Sequence, residues 1–223
     1  MTRCTTLAAL ALASTLALAG CAAGTTEQDT GAAAGTPAPA ASAPAGTGTT
    51  PATAEPIDAE HDDGDVMFAQ MMIPHHEQAV DMSEMLLAKD DVPAEVAGLA
   101  RQVADAQGPE IERMHRMLET WGEQPLADSG DMAGMDHGSG SGMSGMMTPE
   151  DLQALEAAEG ADAARLYLEQ MTVHHEGAVE MARDQVENGR NAQAVELARQ
   201  VVEDQEAEIA EMERMRQELP DGS

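Results

Sequence analysis

The chain writes one eleven-residue stretch twice. Met72 to Met82 reads MIPHHEQAVDM and Met171 to Met181 reads MTVHHEGAVEM, identical at seven of eleven positions. Each copy has a partner downstream: Leu99 to Met114 and Leu197 to Met212 agree at nine of sixteen positions. A two-segment unit therefore occurs twice in one chain. Whatever chemistry His75, His76 and Glu77 perform is expected again, or jointly, from His174, His175 and Glu176.

The apolar spacing of the repeated segments is helical. Phe68, Met72, His75, Ala79, Met82 and Leu86 recur at alternating steps of four and three, which predicts a helix over residues 65–88, with Pro74 loosening one turn. Asp90-Asp91-Val92-Pro93 reads as the start of a second helix that Gly122 and Pro125 stop, with the stripe Ala100, Val103, Gln107, Glu110, Met114, Met117 and Trp121. Thr148-Pro149-Glu150-Asp151 caps a short helix, and Gly160 is expected to end it. A long helix follows over residues 162–187 with Tyr167, Met171, His174, Ala178 and Met181 on one line, stopped by Asn188-Gly189. The last runs from Asn191 to Leu219 with Ala198, Val201, Gln205, Glu208, Met212 and Met215. Four helices of this length with no strand signal predict an all-α four-helix bundle made of two related hairpins, residues 58–125 and 148–219.

The first quarter of the chain is of another kind. An apolar run, Leu7 to Leu18, is too short for the roughly 20 residues a bilayer crossing needs, and Leu18-Ala19-Gly20-Cys21 resembles a bacterial lipobox. Residues 1–20 read as a secretory signal and Cys21 as a lipidation site that anchors the protein to the cell membrane on the extracytoplasmic side. Residues 21–57, nearly free of large apolar side chains, read as a flexible tether. Cys4 and Cys21 are the only cysteines, so the mature domain has no thiol for a disulfide.

Charge narrows the partners. The chain carries 41 acidic residues against 11 basic ones, one of which, Arg3, precedes Cys21. Such a surface repels phosphate backbones and anionic lipid headgroups, which leaves cations as the small partners and excludes nucleic acid.

Successive helical residues turn by about 100°, so His75 and His76 cannot point the same way. Both still face inward, because His76 falls on the apolar line of Ile73, Val80 and Leu87 beside that of Met72 and Ala79. With His174 and His175 from the second copy and Gln107, Glu110, Gln205 and Glu208 from the partner helices, many polar groups share one interior. Each must meet another, water or a metal. One reading is a buried network in which imidazoles donate to glutamates and methionine is core filler. The other is a metal site. Imidazole suits copper, zinc, iron and nickel, and the thioethers of Met72, Met82, Met171 and Met181 favour Cu(I). Glu110 and Glu208 would then orient the imidazoles, while Glu77 and Glu176 stand as alternative ligands for a harder ion.

Residues 126–147 add a second signal. Met132, Met135, His137, Met143, Met146 and Met147 lie among Gly, Ser and Asp, a composition that resembles the methionine-rich segments of extracytoplasmic copper-handling proteins. They read as an accessory copper or silver loop. His61 and His115 read as surface residues.

Taken together, the pattern M-x-x-H-H-x-x-A-x-x-M followed by Q-x-x-E-I-x-x-M resembles the domain-of-unknown-function 305 family. It is met at Met72, His75, His76, Ala79, Met82, Gln107, Glu110, Ile111 and Met114, and again at Met171, His174, His175, Ala178, Met181, Gln205, Glu208, Ile209 and Met212. The resemblance implies a ferritin-like, secreted or periplasmic bundle, in some members linked to copper or silver. Di-iron bundles use a Glu-x-x-His pair on each of two helices, whereas Gln107-x-x-Glu110 and Gln205-x-x-Glu208 stand here. The expected function is a metal-binding lipoprotein for copper tolerance or storage, without catalysis. A ferritin-like redox enzyme and a purely structural or partner-binding lipoprotein are the alternatives.

Overall fold

The structure is a computed structural model, and it describes residues 56–126 and 143–219. The described residues form five helices: α1 (Asp63–Leu87), α2 (Ala94–Trp121), α3 (Pro149–Ala157), α4 (Gly160–Asn188) and α5 (Ala192–Glu218). None of these is long and apolar enough to cross a membrane. The signal, Cys21 and most of the tether, together with Met132, Met135 and His137, lie outside the described residues.

The helices pack as two hairpins, α1 on α2 and α4 on α5, joined along α1 and α4. Both hairpins close within one chain. Their interior is layered. At one end Met82, Leu86, Val96, Leu99, Tyr167, Leu168, Met171, Met212 and Met215 form an apolar cluster. At the other, Phe68, Met72, Ile73, Met114, Met117, Trp121, Leu197 and Val201 form a second. Every long helix contributes to both clusters, and each carries its polar pair in the turn between them: His75 and His76, Gln107 and Glu110, His174 and His175, Gln205 and Glu208. The duplication thus places one polar layer between two greasy ones.

Local signals account for the helix ends. Asp62 caps α1 through Gly64 and Asp65 in a capping box, and Thr148 caps α3, its Oγ1 accepting from the Asp151 N–H at 3.2 Å. Pro74 and Pro109 stand inside α1 and α2 without ending either helix. Pro93 sits one place earlier than expected, at the N-cap of α2. Gly160 does not end α3. That helix stops at Ala157, Ala158 and Glu159 run extended, and Gly160, at φ +53°, opens α4. Its left-handed backbone makes the reversal that no β-carbon would favour.

One buried carboxylate, Asp65, ties the start of α1 to the α4–α5 turn. Its Oδ1 accepts from Gln185 Nε2 (2.6 Å) and the Arg190 N–H (3.1 Å), and its Oδ2 accepts from the N–H groups of Asp62 (3.0 Å) and Asn191 (2.9 Å). His61 is not a free surface side chain: it is half-buried and stacked on Trp121 with centroids 4.9 Å apart.

Candidate metal centre

The four histidines of the repeat are buried, none more than 1 % exposed. Helical spacing aims adjacent residues about 100° apart, and the two copies use this identically. His76 and His175 turn toward the hairpin partner: Nε2 of His76 donates to Glu110 Oε2 at 3.0 Å, and Nε2 of His175 to Glu208 Oε2 at 2.8 Å. A carboxylate only accepts, so both rings carry their proton on Nε2 and, when neutral, leave Nδ1 as the lone-pair atom. His75 and His174 instead turn toward each other across α1 and α4. Their centroids are 3.8 Å apart with the planes tilted by 42°.

Electrostatics keep this facing pair uncharged. Burial, then the neighbouring His76, pushes the His75 pKa down to about 3, and burial together with His75 holds His174 well below the ordinary histidine range. Neutral imidazoles are the ligand form.

The layer is incompletely hydrogen-bonded. Nδ1 of His75, His76 and His175 and both ring nitrogens of His174 are buried without a partner, as are both side-chain polar atoms of Gln107. Buried polar atoms of this kind cost about 1–3 kcal/mol each when nothing meets them, and folded proteins carry only a few.

The methionines flank the histidines rather than joining them in one place. Met72 and Met181 pack with the Trp121 cluster, and Met82 and Met171 with the Tyr167 cluster. Glu77 and Glu176 are exposed and do not belong to the interior. His115 is half-buried. Among the described residues no three or more His, Cys, Asp or Glu side chains are grouped so as to hold an ion.

Of the accessory loop, Met143, Met146 and Met147 are described, all half-buried, and the segment carrying them lies on the histidine layer. The Ser144 carbonyl accepts from His75 Nε2 at 3.0 Å. The Met147 N–H donates to Gln78 Oε1 (2.7 Å), whose amide returns a bond to the Met147 carbonyl (3.1 Å). Gly177 makes room: a β-carbon there would stand 1.9 Å from the Ser144 oxygen. Gln78 does not stand out in the repeat by residue type, whereas Gly177 does. The available signal was a glycine in mid-helix, which costs up to about 1 kcal/mol against alanine and so calls for a packing reason.

Residues 65–216 match the family model described as "Domain of unknown function (DUF305)". The chain belongs to the DUF305 family. Among solved DUF305 structures, a candidate secreted protein from Streptomyces coelicolor is 36 % identical, covering 67 % of this chain and 89 % of its own, with a TM-score of 0.59. A fragment from Deinococcus radiodurans is 29 % identical over 71 % of this chain and 99 % of its own, with a TM-score of 0.62. CopM in a Cu(I)-bound form is 30 % identical over 69 % of this chain and 96 % of its own, with a TM-score of 0.56. CopM has also been solved with Cu(II) and with Ag. No protein of curated function matches the chain.

Proposed function

We propose that this DUF305 protein is an extracytoplasmic lipoprotein, anchored through Cys21, that binds Cu(I) or Ag(I) in its histidine layer for copper tolerance or storage. One observation carries the reading: His75 and His174 face each other at 3.8 Å in a buried layer where five imidazole nitrogens have no partner. Energy stored in unmet donors and acceptors is what a ligand recovers on binding. The copper- and silver-bound forms of CopM support the choice of ion. The ligands we assign are His75 and His174, with His76 and His175 held by Glu110 and Glu208, and thioethers from Met72, Met82, Met171, Met181, Met143, Met146 or Met147 completing the shell. Met132, Met135 and His137 would gather ions outside it. We assign no catalysis, since no carboxylate-rich di-iron set stands in the sequence.

Titration of the full chain with Cu(I) against a competing chelator tests this. The wild type is expected to hold copper stoichiometrically, and a variant with all four histidines changed to alanine is expected to lose that binding. A second reading has its own support in the His76–Glu110 and His175–Glu208 pairs, which alone would make a structural network. It predicts equal, weak copper uptake by both proteins.

A further inference from the structure

The two copies of the repeat differ where it matters for the segment that crosses them. After His-His-Glu the first copy has Gln78 and the second Gly177. These two pseudo-equivalent positions grip opposite ends of residues 143–147, Gln78 through its paired bonds to the Met147 backbone and Gly177 through a close approach of bare backbone. Gly145, at φ +82°, completes the crossing, since a β-carbon there would stand 2.6 Å from the Val173 carbonyl and 2.9 Å from that of His174. Ser144 Oγ adds a bond to Glu180 Oε2 at 2.8 Å.

What this strap delivers to the centre is one acceptor. The Ser144 carbonyl, which cannot donate, takes the Nε2 proton of His75. Glu110 and Glu208 do the same for His76 and His175, so three of the four rings are held with Nε2–H bonded and Nδ1 unpartnered. In metal centres the hydrogen bond at one ring nitrogen decides which nitrogen binds. His75 has no glutamate for this purpose and uses a backbone carbonyl borrowed from the end of the methionine-rich segment. His174 has neither a glutamate nor a strap carbonyl, and its ring faces the His75 backbone instead.

We propose that the strap is a positioning element: Gly177 and Gln78 seat the Ser144 carbonyl on His75 Nε2, which makes His75 Nδ1 the metal-binding atom. The proposal rests on the copper reading for its ligand, but the tautomer it assigns exists in the metal-free protein. Strap and metal can therefore be tested apart.

Gly177→Ala and Gln78→Ala are the variants. Alanine favours the helix over glycine by about 1 kcal/mol, so Gly177→Ala displaces the strap while leaving α4 intact, and Gln78→Ala removes the two Met147 bonds with no added bulk. Long-range proton–nitrogen spectra of the imidazoles in the full, metal-free chain report each ring's tautomer. The wild type is expected to show His75 protonated on Nε2; both variants are expected to show a mixture at His75 and no change at His76 and His175. Stopped-flow transfer of Cu(I) to a chelator is expected to run at least tenfold faster from both variants. A wild-type His75 protonated on Nδ1, or a His75 tautomer that neither variant alters, overturns the proposal whatever copper does. If the tautomer shifts as stated but no form binds Cu(I), the strap stands and the copper reading falls.

Discussion

His75 and His174, one from each copy of the repeat, pack ring against ring with centroids 3.8 Å apart. Each copy alone would leave its inward-turned ring, His75 or His174, without a counterpart. The duplication makes a facing pair between two apolar clusters. An arrangement that costs stability when empty is what binding sites show when the rest of the fold follows local rules.

Replacing His174 by leucine should therefore stabilise the metal-free protein. Both ring nitrogens of His174 are buried and unpartnered, and removing an unmet polar group of similar size recovers on the order of 1 kcal/mol. Chemical unfolding of His174→Leu should show this gain together with loss of Cu(I) binding. A destabilisation of about 2 kcal/mol or more would mark His174 as a structural residue instead.

Acid should weaken the metal-free fold through the same pair. Unfolded, His75 binds a proton near the ordinary value of 6.5, while folded it resists until about 3. Between those values the unfolded state holds more protons, so stability falls as pH falls, by up to about 1.4 kcal/mol per unit for one such group. His174, lowered for the same reasons, adds to the slope. Urea unfolding at pH 7 and pH 5 should show a loss that a His75→Leu/His174→Leu variant largely lacks. Comparing the two proteins subtracts the titration of their common acidic surface.

Glu208 should matter more to the metal than Glu110. Its carboxylate is more buried, 10 % against 19 % side-chain exposure, and its bond to the imidazole is shorter, 2.8 against 3.0 Å. Removing a group that orients a ligand typically costs 10–100-fold in metal affinity. Glu208→Ala is expected toward the upper end of that range and Glu110→Ala toward the lower, measured by chelator competition. The reverse order would mean that burial does not set their roles.

Asp65→Ala separates fold from site. The carboxylate accepts four bonds far from the histidines in the chain's layering, and the substitution leaves the buried N–H of Asn191 and the half-buried N–H of Asp62 without acceptors. A loss of about 2–4 kcal/mol in unfolding free energy is expected, with Cu(I) affinity of the folded fraction unchanged.

The helices and the inward histidines were legible because the repeat shows its spacing twice: where Met72, His75, Ala79 and Met82 are buried, Met171, His174 and Ala178 are too, with Met181 half-buried. Gln107, Gln205 and Glu208 were expected inside and are buried, and the half-buried Glu110 reaches His76. Three features were not legible. Asp65 looks like an ordinary acidic first-turn residue, and its four partners come partly from more than a hundred residues away. His61 depends on a stack with Trp121 that no local pattern encodes. The strap depends on a backbone crossing at Gly145 and Gly177, and periodicity is silent on how a loop returns to the surface of a helix.

The most direct test of the central claim is the X-ray absorption spectrum of copper in the full chain loaded with one equivalent of Cu(I). The account predicts a mixed shell of imidazole nitrogen and thioether sulfur that loses its nitrogen in a His75→Ala/His174→Ala variant. A shell of sulfur alone, the same in both proteins, would contradict it and place the copper outside the histidine layer.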